Sequence, residues 1–344
     1  MQIFFVSSLT CVVLIFLLRK LALRYGVVDH PGGRKLHANP TPTVGGLAMY
    51  LAVLLTLLES GQFTGNLPVL LGCAAALVVL GLFDDRYDLP VSLRLIIEVV
   101  LVLFVITSAD GMISHLGALF GTGDIGLTLL ALPLSVVAYV GGINAMNMID
   151  GVDGIAGKMA LITCTGVALI FHWSGAMQLM PLTWAIMGAL IGFLFFNARW
   201  LVRHAWVFMG DAGSMWLGLV LGWFMAQLTH GTVAAQPPLV FWLFGIPLID
   251  TLAVMFRRLR RNGKPFAADR SHIHHVLQHA GLSVRRTVLT LSVAQAVLVG
   301  TAVGFYLLHV PAAVVFWSFV LLTAAYCYVL RHHSHGLPDL RAQK

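Results

Sequence analysis

Apolar runs of roughly 16 to 22 residues recur along the whole of this chain, and no other feature restricts the fold as much. A helix needs about 20 residues to cross a hydrocarbon core of ~30 Å. Because hydrocarbon leaves no water for backbone polar groups, only helices or closed β-barrels span it. Barrel strands would alternate apolar and polar residues, whereas CVVLIFLLRKLAL and LRLIIEVVLVLFVI are almost continuously apolar. Hydrophobic residues make up 59% of the 344, and charged residues only 10%, more apolar surface than a soluble domain can hide. The expected fold is an all-α polytopic membrane protein of about eleven transmembrane helices, one integral membrane domain over residues 1–330 with a tail at 331–344.

Basic residues orient these spans. The first run, 3–23, has no basic residue before it and carries Arg19, Lys20 and Arg24 at its far end. That polarity is opposite to a cleaved signal peptide, so it predicts a retained span with a periplasmic N-terminus. Further spans are expected at 44–58, 68–83, 93–108, 128–145, 157–175, 178–197, 212–229, 239–256, 288–308 and 313–330. Lys and Arg then gather on one side, while SGQFTGNLP and ADGMISHLGALFGTGDIG on the other contain none. The positive-inside rule makes the basic side cytoplasmic, together with the C-terminus. The net charge of +7 is then topological, and the RRLRRNGK run is an anchor beside anionic lipid, not a nucleic-acid surface. Cys11, Cys73, Cys164 and Cys327 fall inside apolar runs without paired spacing and read as small core residues.

With only 14 acidic residues in the chain, their placement carries information. Asp84, Asp85 and Asp88 form DDRYD, Asp150 and Asp153 sit in NAMNMIDGVDG, and Asp211 lies in FMGDAGS, all on the basic side. Carboxylates gathered at one surface repel one another, and a hard divalent cation with oxygen ligands, Mg²⁺ or Mn²⁺, relieves that repulsion. Asp85 and Asp88, three apart, are expected to share a helix face. Asn144 and Asn147, one turn apart, supply neutral oxygens for metal or substrate. Asp211 at a helix start is placed to hold a cation where free N–H groups attract phosphate. In KPFAADRSHIHH, Arg270 with His272, His274 and His275 suits phosphate recognition better than zinc, since no cysteine accompanies them. The histidines of the tail are read as solvated. Two acids lie inside expected spans: Glu98, with Arg94 one turn away as its expected partner, and Asp250, placed to orient the basic loop.

LGLFDDRYD, NAMNMIDGVDGIAG, VFMGDAGS and DRSHIHH, in this order, resemble the motifs of the polyprenyl-phosphate N-acetylhexosamine-1-phosphate transferases. With LHANPTPTVGGLAMY and PLIDTLAVMFRR, the likeness extends over about residues 27 to 285 and is nearest to the WecA-type branch. That branch joins GlcNAc-1-phosphate from UDP-GlcNAc to undecaprenyl phosphate. The phospho-MurNAc-pentapeptide branch typically has a lysine in place of Asp88 and three consecutive histidines in place of HIHH. The resemblance implies a catalytic membrane domain in the bacterial inner membrane, with the site on its cytoplasmic face and a homodimer as the common assembly. It implies that Asp211, helped by Asn147, binds Mg²⁺ and that Asp84 and Asp85 lie near the lipid phosphate. Asp150 and Asp153 join them as catalytic candidates. Asp88, Asn144, Arg270 and the histidines are substrate-binding candidates, the histidine loop facing the nucleotide sugar.

The implied reaction forms undecaprenyl-diphospho-GlcNAc and UMP, the starter of an O-antigen-type polysaccharide. A lipid phosphate whose second pKa is near ~6 is already largely dianionic at neutral pH, so direct displacement needs no obligatory base. A two-step route through an aspartate is the alternative. Rival donors are phospho-MurNAc-pentapeptide and N-acetylfucosamine, with the same chemistry. The rival from another class is a transporter, but transporters place coupling acids near the midplane and often show repeated halves, neither of which is visible here.

Overall fold

The computed structural model describes residues 1–29, 40–198, 204–230, 233, 235–260 and 272–333. It is a helical bundle: α1 (Gln2–Tyr25), α2 (Gly45–Glu59), α3 (Leu67–Tyr87), α4 (Val91–Ser108), α5 (Ala131–Ile149), α6 (Ile155–Trp173), α7 (Met180–Asn197) and α8 (Gly210–Thr229) are followed by the short α9 (Leu239–Leu243), α10 (Gly245–Arg260), α11 (Ile273–His279), α12 (Val284–Leu307) and α13 (Ala312–His333). Two short strands, β1 (Val28–Asp29) and β2 (Thr41–Pro42), pair antiparallel. The chain is a multi-pass membrane protein.

Among the described residues, nine helices are long and apolar enough to cross a bilayer, and α2, with 15 residues, is a shorter apolar helix. The expectation of an unbroken span over 239–256 is corrected: the helix stops at Leu243 and restarts at Gly245. Gln295 of α12 explains how a break survives inside an apolar bundle. Its amide oxygen accepts from the N–H of Ile246 (2.8 Å), and its amide nitrogen donates to the carbonyl of Leu243 (2.9 Å). Thr163 of α6 also donates to that carbonyl, at 2.9 Å. Pro247 has no N–H to lose, and the groups freed at the break find protein partners in place of water.

α8 is the central helix, with 89% of its most apolar stretch buried, against 17% for α1 and α13. It packs on α2, α3, α5 and α6. Gly81 lets α3 approach closely: a Cβ there would overlap the backbone of Asp211 and Ala212. The outer helices expose Phe5, Leu9, Phe16 and Leu17 of α1 and Val314, Trp317 and Leu321 of α13, faces suited to lipid.

Candidate active site

One end of the bundle gathers the end of α3, the starts of α4 and α8, the end of α5, and α11. A backbone lattice seats the start of α8. The N–H groups of Gly45 and Gly46 donate to the carbonyls of Phe208 and Met209 at 2.9 Å each, and Phe208 N–H donates to Pro42 at 2.8 Å. Asn197 adds a side-chain brace, accepting from Gly154 N–H (2.7 Å) and donating to Val207 (2.9 Å). These contacts hold VGG, MGDAGS and the DGVDG loop in fixed relation.

Asp84 is buried, and both its oxygens are engaged: Oδ1 accepts from Leu89 N–H at 2.8 Å, and Oδ2 accepts from Arg94 Nη1. The same Arg94 nitrogen lies 3.8 Å from Asp211 Oδ2. The expected Arg94–Glu98 pairing is therefore corrected. Arg94 joins DDRYD to MGDAGS, while Glu98 accepts from Asn144 Nδ2 at 2.6 Å. Asn144 gives its other amide hydrogen to Val140 (2.9 Å), so those hydrogens serve a buried carboxylate in a span instead of the acidic cluster.

Asp85 is exposed and reaches across to α8, where Oδ1 accepts from Asp211 N–H at 3.1 Å. The shared helix face expected for Asp85 and Asp88 is not formed. α3 ends at Tyr87, and Asp88 caps it in the left-handed region (φ 50°), donating its N–H to the backbone carbonyl of Asp84. Asp88 thus lies exposed at the rim. Asn147 donates to Asp211 Oδ1 (2.7 Å) and to the Ser214 hydroxyl (3.1 Å), which leaves its carbonyl oxygen for an ion or ligand. Asp150 follows α5 directly. Enclosure and the negative charges of Asp211, Asp85 and Asp153 hold its carboxyl well above the ordinary carboxylate range. Asp211, Asp85 and Asp153 thus each repel a charge on Asp150, while Arg94 stands between Asp84 and Asp211.

α11 closes the site from the side. His272 Nδ1–H donates to Asp250 Oδ2 at 2.8 Å, as expected of an acid that orients this loop. The His272 and His274 rings lie parallel within 6°, and the His275 ring centroid is 4.2 Å from that of His274. His274 is buried against Gly151, where an added Cβ would overlap the imidazole. Burial first, then the neighbouring His275 and His272, pushes its pKa down to about 3. His274 is therefore neutral at physiological pH. Arg270 lies outside the described residues.

Arg94, Ser214 and Asn197 were not among the expected site residues. Asp29 of β1, also missed, lies within electrostatic reach of Asp85. Only Arg94 carried a signal, as a cation at the start of the helix that follows DDRYD.

Residues 67–229 match the glycosyl transferase family 4 model, a segment that includes every acidic residue of the cluster except Asp29. The undecaprenyl-phosphate alpha-N-acetylglucosaminyl 1-phosphate transferase of Salmonella typhi is 34% identical over 321 residues, 93% of this chain and 88% of the relative. The chain belongs to glycosyl transferase family 4. The Escherichia coli K12 protein of the same name is 33% identical over 319 residues, covering 92% and 87% of the two chains. A probable undecaprenyl-phosphate N-acetylglucosaminyl 1-phosphate transferase of Bacillus subtilis is 32% identical over 295 residues, covering 84% and 80%. Membership of glycosyl transferase family 4 makes this chain a phosphotransferase enzyme. Asp250 and the histidines lie beyond the segment that matches the family model.

Proposed function

We propose that this enzyme transfers GlcNAc-1-phosphate from UDP-GlcNAc to undecaprenyl phosphate at the cytoplasmic face of a bacterial inner membrane, with its N-terminus periplasmic and its C-terminus cytoplasmic. The product would start a surface polysaccharide of the O-antigen type. The observation that carries the reading is the convergence of Asp84, Asp85, Asp150 and Asp211 around the start of α8, with Arg94 joining Asp84 to Asp211. The relatives' names support GlcNAc as the sugar and undecaprenyl phosphate as the acceptor.

The donor set fits Mg²⁺, with Mn²⁺ as a substitute. Its atoms are hard oxygens: the Asp211 carboxylate, the free carbonyl of Asn147, and Asp85 and Asp150 alongside. Among the described residues no three His, Cys, Asp or Glu side chains form a closed metal-ligand group. The ion would be held by one or two carboxylates and completed by water and substrate phosphates. Bound there, Mg²⁺ would neutralise the diphosphate and stabilise the leaving phosphate.

The chain's own residues supply the rest. Asp84, with both oxygens engaged, anchors Arg94, whose guanidinium faces the phosphates that must meet. Asp85, the exposed carboxylate that accepts from Asp211 N–H, borders the place of the lipid phosphate. An oxygen of that phosphate attacks the sugar-bearing β-phosphorus, the bond to the α-phosphate oxygen breaks, and UMP leaves. Positioning and charge neutralisation carry such a displacement. Asp150 and Asp153 lie in the loop that follows Asn147, and His272, His274 and His275 meet the nucleotide sugar.

Purified enzyme given undecaprenyl phosphate, Mg²⁺ and a panel of radiolabelled UDP-sugars tests the reading. Chloroform-soluble label and UMP are expected with UDP-GlcNAc. Product only with another UDP-sugar overturns the donor assignment, and no product with any donor overturns the reaction.

A further inference from the structure

Asp250 is 2% exposed, and three donors from different parts of the chain converge on it. His272 Nδ1–H donates to Oδ2 at 2.8 Å. Ile273 N–H donates to Oδ1 at 2.9 Å, and the Tyr326 hydroxyl of α13 donates to the same oxygen at 3.0 Å. A buried carboxylate is stable only with such partners, and here they tie α10, α11 and α13 together at the histidine loop. His272 has an extended backbone (ψ 148°) and immediately precedes α11, so the grip on its ring and on the next N–H sets how the chain enters that helix. The parallel His274 ring follows, and it rests on Gly151 of the acidic loop. His274 is 1% exposed, and its Nδ1 has no hydrogen-bond partner, which leaves one buried polar atom for a ligand to satisfy.

We propose that Asp250 and Tyr326 are positioning residues for the donor end of the site, fixing the proton of His272 on Nδ1 so that Nε2 is the ring atom presented to the nucleotide sugar. The proposal rests on the donor assignment made above. In either charge state of the ring, an acceptor at Nδ1 keeps the proton there. Tyr326 completes the device by holding the carboxylate from the last helix. It lies 76 residues from Asp250 and outside the segment that matches the family model.

Asp250→Asn isolates the tautomer. Ile273 N–H and the Tyr326 hydroxyl require the amide oxygen on their side, so the amide nitrogen faces His272 and donates to Nδ1. The ring proton must then move to Nε2. An acidic partner exchanged for an amide is known to impose the wrong histidine tautomer while leaving the geometry intact.

The experiment combines ¹⁵N-histidine NMR of the full chain in detergent with steady-state kinetics, the His272 signals being assigned by their loss in His272→Gln. The expected result is Nδ1–H in the wild type and Nε2–H in Asp250→Asn. KM for UDP-GlcNAc should rise about tenfold or more with KM for undecaprenyl phosphate unchanged, and Tyr326→Phe should shift the same constant by less. An unchanged tautomer in Asp250→Asn, or equal rises in both KM values, overturns the proposal. If Asp250→Asn does not fold, Tyr326→Phe decides: a donor KM equal to wild type overturns it. If the wild type does not turn over UDP-GlcNAc, the donor assignment fails, while the NMR result still decides the tautomer.

Discussion

Arg94→Met is the most informative single change to the acidic cluster. Arg94 bonds Asp84, whose side chain is 3% exposed, and its Nη1 lies 3.8 Å from Asp211 Oδ2. At an effective dielectric of ~20, opposite charges at that second separation attract by about 4 kcal/mol. The Arg94 and Asp211 side chains are 21% and 33% exposed, so screening reduces this to about 1 kcal/mol. The larger effect comes from Asp84, left buried with Leu89 N–H and the neighbouring Asp211 carboxyl. Breaking a fully buried pair costs about 3–5 kcal/mol, and the remaining hydrogen bond and the partial exposure of Arg94 lower that to about 2–3 kcal/mol. Thermal unfolding in detergent, followed with a thiol-reactive dye, reads the change because Cys11, Cys73 and Cys164 are buried until the bundle opens. Together the two losses are about 3–4 kcal/mol, so at roughly 2 °C per kcal/mol for a chain of this size the midpoint should fall by about 6–8 °C. The double variant Arg94→Met, Asp84→Asn removes the orphaned charge and should recover about 2 kcal/mol relative to additivity. Additive effects of the two single changes would refute the pairing.

Two further outcomes follow from the histidine helix. Gly151→Ala should lower kcat/KM by about tenfold or more with the thermal midpoint shifted by only a few degrees, since the added methyl displaces His274 by an overpacking cost of about 1–3 kcal/mol; unchanged kinetics would separate His274 from catalysis. His274 is held neutral with its pKa near 3, so the unfolded chain binds its proton first, and stability is full above about pH 6.5 and lost as pH falls toward 3. The loss has a limiting slope of about 1.4 kcal/mol per pH unit, and His274→Gln should flatten this component of the midpoint-versus-pH curve, whereas an unaltered curve would show that His274 is not buried neutral.

Much of this was legible in the sequence. Hydrophobicity is locally written, so the long spans fell where the apolar runs lie, and scarce acids in glycine-bounded loops pointed to one end of the bundle. The helix break at Phe244 was not legible, because LVFWLFGIPLID is apolar throughout and the group that satisfies the break, Gln295, lies about fifty residues away. The sequence pairs Arg94 with Glu98, because neighbours one turn apart are what a sequence displays. Asp84, ten residues back across a helix end, becomes its partner only once α3 and α4 fold against each other. Asp250 was recognised as an acid needing a partner, yet Tyr326 could not be named, since no local spacing connects α10 to α13. Asn144 read as a substrate ligand beside Asn147, but its amide hydrogens are committed to Glu98 and Val140.

The central claim is that the carboxylate at the start of α8 holds the cation for phosphate transfer. Initial rates of labelled lipid formation against Mg²⁺ concentration, for the wild type and for Asp211→Asn inserted at equal levels, test it most directly. The wild type should be inactive in chelator and saturate with Mg²⁺, while Asp211→Asn, nearly the same size but uncharged, should lose about 10²–10³-fold in kcat at every Mg²⁺ concentration. Wild-type turnover with an unshifted Mg²⁺ dependence in Asp211→Asn would contradict the account.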